Sequence, residues 1–78
     1  MLMSQRLFIG YTQDERGQNH RVPFFLDDVA DFSVIKHGGV DHFYANLNAT
    51  QSGRMAIQAQ IDSKTFQELK GLRHARTV

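Results

Sequence analysis

The sequence contains no cysteine and no tryptophan, and Pro23 is its single proline. Without cysteine, neither disulfide bonds nor thiolate metal ligands can hold the fold together, and a reducing compartment is permitted. No apolar run approaches the roughly 20 residues that span a membrane, and the first residues carry no secretion-signal pattern. We therefore expect a cytoplasmic protein without a membrane partner.

A chain of 78 residues predicts a single small domain over 1–78. A core of this size leaves only about 3–5 kcal/mol of net stability, so self-association would help the fold and we expect a homodimer. The formal net charge of +1 hides an uneven distribution, because acidic residues are in excess over 1–53 and basic residues over 54–78. The residues from about 74 to 78 predict a short, flexible, basic tail.

Near the end of the chain, the spacing of the apolar residues changes from that of a strand to that of a helix. Apolar side chains first recur at every second position, which predicts a strand with one buried face; they are Met55, Ile57, Ala59 and Ile61. Apolar residues then recur at helical spacing, at Phe66, Leu69 and Leu72. Asp62 or Ser63 can cap the first turn of this helix by accepting hydrogen bonds from free backbone N–H groups.

Two further strands are predicted before residue 27. The residues 6–12 and 20–26 are rich in aromatic and β-branched side chains, and the polar segment between them ends in residues typical of a hairpin loop. Pro23 has no N–H for a strand ladder, which places the second strand at a sheet edge or at a bulge.

Residues 27–39 allow two interpretations. They form either a short helix capped by Asp27, or a strand over 31–36 followed by a tight turn at Gly38-Gly39. We favour the hairpin, because a Gly-Gly pair supplies the positive φ angles of two-residue turns. The predicted fold is therefore α+β, with a four- to five-stranded antiparallel meander sheet packed on one C-terminal helix, and with curling towards a small barrel as a variant.

Strand alternation assigns each side chain to one face of this sheet. The residues expected to face the helix, besides those of the last strand, are Leu7, Ile9, Tyr11, Val22, Phe24, Leu26, Phe32, Val34, Phe43, Ala45 and Leu47. The opposite face is then expected to be free of carboxylates and to form the binding site. The candidate binding residues are Arg6, Phe8, Arg21, Phe25, His42, Tyr44, Arg54 and Gln58.

Aromatic and arginine side chains on a face without acids are typical of protein interfaces. We therefore expect a non-catalytic binding or regulatory module that uses this face to bind another protein or a second copy of itself. The alternative is a single-stranded nucleic-acid-binding protein, in which rings stack on bases and arginines contact phosphates.

No pattern of catalytic, metal-binding or cofactor-binding residues stands out, so we expect neither an enzyme nor a cofactor. His37 and His42 flank the Gly-Gly turn with Asp41 beside them, but their spacing matches no established metal-ligand pattern. The acidic cluster over 27–31 supplies too few oxygens for a calcium-binding loop.

The end of the chain offers a partial resemblance. Gly53-Arg54 opening a strand, followed by Phe66-x-x-Leu69 on a helix, is loosely similar to the strand-then-helix end of a family of single-stranded DNA-binding domains. The lysine-rich sheet typical of that family is missing here. We therefore carry no function across from it.

Overall fold

A computed structural model describes residues 6–50 and 53–77, with side chains up to Ala75. The strands are β1 (Phe8–Gln13), β2 (Asn19–Phe24), β3 (Val29–His37), β4 (Val40–Leu47) and β5 (Ile57–Ile61), and the helix is α1 (Ser63–Thr77). The strands form one sheet in the order β2-β1-β5-β4-β3, with every neighbouring pair antiparallel. The predicted α+β fold, a five-stranded antiparallel sheet with one C-terminal helix, is confirmed.

The structure resolves the ambiguity over 27–39 in favour of the hairpin. β3 and β4 are joined by Gly38 and Gly39, whose φ angles of 61° and 80° are both positive, as a two-residue turn between twisted strands requires. β3 begins at Val29, earlier than predicted, and a register shift between Val29 and Asp31 marks a bulge at its start. A short 3-10 turn, Leu26–Asp28, precedes it.

Pro23 lies in β2, and β2 is an edge strand with β1 as its one neighbour in the sheet. This agrees with the prediction from the missing N–H. The loop before β2 is held by Asp14, whose carboxylate accepts hydrogen bonds from the backbone N–H groups of Arg16 and Gln18. The bond between this carboxylate and the His20 ring, followed by that from Gln18, lowers the pKa of Asp14.

The core lies between the sheet and α1. Its buried members are Phe8, Val22, Phe24, Val29, Ala45, Leu47, Ala59, Ile61, Phe66 and Leu69, with Leu26, Phe32, Phe43 and Ile57 packed against them. Phe8 stacks on Phe24 with ring centroids 6.0 Å apart, and Phe66 meets the rings of Phe32 and Phe43 at 5.5 and 4.8 Å. The helix therefore contributes two buried side chains, from adjacent turns.

Several predicted helix-facing residues lie elsewhere. In β1 the alternation is the opposite of that predicted: Phe8 and Gly10 are buried, whereas Tyr11 is 47% exposed. Met55 precedes β5 and is 76% exposed, because the strand begins only at Ile57. Val34, near the tip of the β3–β4 hairpin, and Leu72, beyond the buried stripe of α1, are also exposed.

Asp62 caps α1, as predicted. Its Oδ1 accepts a hydrogen bond from the backbone N–H of Thr65 at 2.7 Å, and its carbonyl accepts the first helical bond from Phe66. Hydrogen bonds from Thr65, side chain first, lower the pKa of the Asp62 carboxyl. The helix continues through Thr77, so residues 74–77 belong to it rather than to a separate tail. No helix in the described part of the chain has the length and apolar character to cross a membrane.

The connection between β2 and β3 forces the sheet to coil. β2 and β3 lie at opposite edges, roughly 19 Å apart across a flat five-stranded sheet. The residues to be joined also lie at opposite ends of the sheet. Phe24, the last residue of β2, pairs with Phe8 and is level with the end of β5. Val29, the first residue of β3, is level with the start of β5. Residues 25–28, which include the 3-10 turn, cannot bridge such a diagonal. The sheet is therefore strongly coiled, although it does not close into a barrel.

Arg54 fastens the two corners that this coiling brings together. Its Nη1 donates to the carbonyl of Pro23 in β2 at 3.1 Å, and its Nη2 lies 3.8 Å from Oδ2 of Asp28, at the end of the 3-10 turn that leads into β3. The loop that presents it is held by bonds in both directions between Thr50 and Arg54. Arg54 thus acts as a structural clamp.

Gly10 allows β1 to approach β5 closely, and replacing it with alanine tests that approach. A Cβ atom at position 10 would lie 2.8 Å from the Cβ of Ala59. We expect Gly10→Ala to lower the free energy of unfolding by about 1–3 kcal/mol through overpacking. Gly71→Ala is the matched control, because nothing lies within 4 Å of the added atom and the helix should gain about 0.5–1 kcal/mol. Urea unfolding of both variants measures the difference, and equal stability would contradict the close approach.

The Asp62 cap makes part of the stability dependent on pH. Because the folded-state pKa is lowered, the contribution of this carboxylate is complete above the ordinary aspartate pKa of about 3.9 and is lost as the pH falls through the lower folded value. We expect Asp62→Ala to cost about 1 kcal/mol at neutral pH, and less in strong acid. Asp62→Asn, which can still cap, should retain most of the stability at neutral pH. Urea unfolding at several pH values tests both variants.

Candidate functional site

The candidate site is the outer face of the sheet, meaning the face turned away from α1. The registers and burial place on it the side chains of alternating residues in each strand. They are Ile9, Tyr11 and Gln13; Asn19, Arg21 and Pro23; Asp31, Ser33, Ile35 and His37; Val40, His42, Tyr44 and Asn46; and Gln58 and Gln60. Amide, hydroxyl, imidazole and apolar groups therefore dominate this surface.

A network of amide hydrogen bonds fixes one end of the outer face. Nδ2 of Asn46 donates to Oδ1 of Asp31 at 2.6 Å and to Oγ of Ser33 at 2.8 Å. Nε2 of Gln58 donates to Oδ1 of Asn46 at 3.0 Å. These bonds link β3, β4 and β5 through their side chains, so the groups are held in one arrangement before any ligand arrives.

The middle of the outer face is a row that crosses the sheet. Tyr11 of β1 and Tyr44 of β4 both pair with Gln60 of β5, so the two rings flank one amide. Gln60 is hydrogen-bonded through Nε2 to Nδ1 of His42 at 3.1 Å. This row places aromatic surface and an oriented amide side by side.

The other end of the outer face is apolar and projects beyond β5. β5 ends at Ile61, which pairs with Phe43, so the remainder of the β3–β4 hairpin extends past it. Ile35 and Val40 on this extension are 45% and 59% exposed. Aliphatic side chains exposed on a projecting hairpin favour contact with another macromolecule.

The outer face is close to neutral in charge. Its fixed charges are Arg21 on β2 and Asp31 on β3, at the two opposite edges of the sheet. The expectation of a face without carboxylates is therefore wrong at Asp31. The side chains of the central strands β1, β5 and β4 on this face are amide, phenol, imidazole and aliphatic groups, and none of them carries a fixed charge.

The structure brings together four of the eight predicted binding residues. Arg21, His42, Tyr44 and Gln58 lie on the outer face. Phe25 lies in the β2–β3 connection, where its N–H donates to Oδ2 of Asp28. The remaining three do not lie on the predicted face; they are Arg6, Phe8 and Arg54.

Each of these three has a structural explanation. Phe8 is only 5% exposed and belongs to the core, so it is not available on the outer face. Arg6 lies on the helix side, where it forms an ion pair with Glu68 of α1 and covers the Phe8 ring at 4.9 Å. Arg54 precedes β5 and clamps the coiled sheet.

Sequence reasoning missed Ile9 and Tyr11 as outer-face residues. Both faces of β1 carry apolar or aromatic side chains, so hydrophobicity alone does not show which face is buried. The signal was Gly10, because a glycine inside a strand marks a close backbone approach and so identifies the crowded, inward-facing row.

The described residues contain no group of three or more His, Cys, Asp or Glu side chains that could hold a metal ion. His37 and His42 do meet on the outer face, with ring centroids 6.2 Å apart. Asp41 is directed to the opposite face, where it lies 4.0 Å from Lys36. The histidine pair therefore lacks the carboxylate that adjacency in sequence suggested.

No protein-family model matches this chain, and neither a curated protein nor a solved structure matches it.

The amide network can be tested by charging its centre. Asn46→Asp places a second carboxylate against Asp31 and removes the donor that joins them, so we expect a loss of about 1–3 kcal/mol at neutral pH. Protonation of either carboxylate relieves the repulsion, so the loss should shrink as the pH falls towards 4. Asn48→Asp, at an exposed position, is the control and should change stability little. Urea unfolding across pH measures both, and a loss independent of pH would contradict the network.

Proposed function

We propose that this protein is a small non-catalytic binding module that uses the outer face of its sheet to bind another protein. The observation that carries the proposal is the combination of the fixed amide network with exposed apolar side chains on one surface, whose two fixed charges, Arg21 and Asp31, lie at its opposite edges. Protein interfaces are depleted of charge at their centre and enriched in aromatic residues. Neither catalysis nor a cofactor is part of the proposal.

The amide network favours a specific partner over nonspecific adhesion. Side chains that are already oriented lose less conformational entropy on binding than free ones do. A partner surface that buries an Asn or Gln group of the network without a hydrogen bond also binds with lower affinity. Tyr11, in the row centred on Gln60, and Ile35, on the projecting hairpin, supply the apolar area.

Single-stranded nucleic acid is the weaker alternative. Binding to it requires cations beside the stacking rings to neutralise phosphates. Arg6 and Arg54, on which that hypothesis depended, are turned towards Glu68 and towards Pro23 and Asp28 instead. Arg21 remains as the outer-face arginine, at the β2 edge.

Two outer-face variants and one control test the proposal. The immobilised protein is exposed to extract from the cells that produce it, and bound proteins are quantified by mass spectrometry. We expect to recover a partner protein. Tyr11→Glu and Ile35→Glu should each lower its affinity about tenfold or more, because a charge is then buried at the interface. Met55→Glu changes an equally apolar, exposed residue outside the face and should retain the partner. If the variants and the control retain the same proteins, the outer face is not the binding site.

Labelled single-stranded DNA and RNA, titrated with the protein at low and at physiological salt, test the alternative. We expect no measurable binding in fluorescence anisotropy. Binding that falls steeply with salt and is lost in Tyr11→Glu would instead favour nucleic acid.

A further inference from the structure

The free edge of β3 and the adjacent end of α1 form a second surface, distinct from the outer face. A shallow groove of about 350 Å³ lies between them, lined by Asp31, Phe32, Lys70, Arg73 and His74. We propose that this groove binds an acidic peptide segment of another protein in extended conformation, which adds to the sheet as a strand beside β3. This site goes beyond the outer face, with which it shares one residue, Asp31.

The backbone of β3 has groups available for an added strand. Two glycines with positive φ separate His37 from Val40. His37 and Val40 therefore form the hydrogen-bonded pair that closes the hairpin. Antiparallel pairs alternate between bonded and non-bonded, which makes Ile35, Ser33 and Asp31 the other residues bonded to β4. The N–H and C=O groups of Phe32, Val34 and Lys36 therefore point to the free edge.

The two edges of the sheet differ in their readiness to accept a strand. β2 contains Pro23, which has no N–H, and the carbonyl of Pro23 already accepts a bond from Arg54. β3 contains no proline; among the described residues it pairs with β4 alone, and its register is regular beyond the bulge at its start. An unpaired strand of this kind is a template for strand addition.

The charge beside the edge selects the occupant. Lys70 lies over the Phe66 ring at 5.1 Å and Arg73 over the Phe32 ring at 5.9 Å, so both cations are held along the groove. An extended peptide presents alternate side chains to this side of the sheet, where acidic groups meet the two cations. A second copy of β3 would instead present Lys36 to them, which makes self-pairing the less favourable occupant.

The probe is a fluorescent peptide of alternating glutamate and valine, titrated with the protein in an anisotropy assay. We expect it to bind, and we expect a peptide with lysine in place of glutamate not to bind. Arg73→Glu and Lys70→Glu should each weaken binding about three- to tenfold. Lys64→Glu makes the same charge change on α1 away from the groove and should leave binding unchanged.

The backbone contribution is tested at Val34. Val34→Pro removes an N–H that points to the free edge, so the β3–β4 ladder keeps its bonds and peptide binding should fall about tenfold. Val34→Thr keeps the N–H and the branched shape and should bind normally. Circular dichroism checks that each variant is folded; should Val34→Pro not fold, the charge variants on α1 still decide.

Three results would overturn the inference. The first is equal binding of the acidic and basic peptides. The second is unchanged binding in folded Arg73→Glu and Val34→Pro. The third is a dimer, seen in sedimentation at twice the 8.9 kDa chain mass, that Val34→Pro converts to a monomer. A second copy of the chain would then occupy the edge. None of these results bears on the outer-face variants Tyr11→Glu and Ile35→Glu, so failure of this site and failure of the proposed function can be told apart.

Discussion

The short connection between β2 and β3 is the constraint on which the rest of the structure depends. Residues 25–28 join two edge strands that belong to diagonally opposite corners of the sheet, so the sheet has to coil until those corners meet. Coiling turns one face inward, and that face is where Phe24 becomes almost completely buried. The hydrogen bond from Arg54 to Pro23 then holds the corners at the required distance.

The same coiling explains why the helix supplies only a small part of the buried core. In a flat two-layer arrangement, two buried helical side chains would leave much of a five-stranded sheet uncovered. Here the coiled strands cover one another, so Phe66 and Leu69 complete a core that the sheet largely forms itself. The remainder of α1 is left free to carry cations beside the edge of β3.

The parts of the fold that could be predicted from the sequence are those set by local chemistry. The Gly38-Gly39 turn, the cap at Asp62 and the edge position of Pro23 each depend on the conformation or hydrogen bonding of one or two residues. The face of β1 could not be read from hydrophobicity, because Phe8 and Tyr11 are both aromatic and lie on opposite faces. The roles of Arg6 and Arg54 depend on partners distant in sequence, Glu68 and Pro23, which no local pattern reveals. Half of the predicted site residues lie on the outer face because the alternation predicted for β2, β4 and β5 is correct.

Proline in β2 has a consequence for how far the sheet can grow. A protein with two open edges can add strands at both, and repeated addition leads to fibres. In this protein the β2 edge is interrupted at Pro23, which has no N–H and whose carbonyl accepts a bond from the Arg54 guanidinium. A strand added at β3 is therefore not matched by an equally regular edge on the far side of the domain, which disfavours repeated addition. The clamp that holds the coiled sheet is thus also a safeguard against open-ended polymerisation.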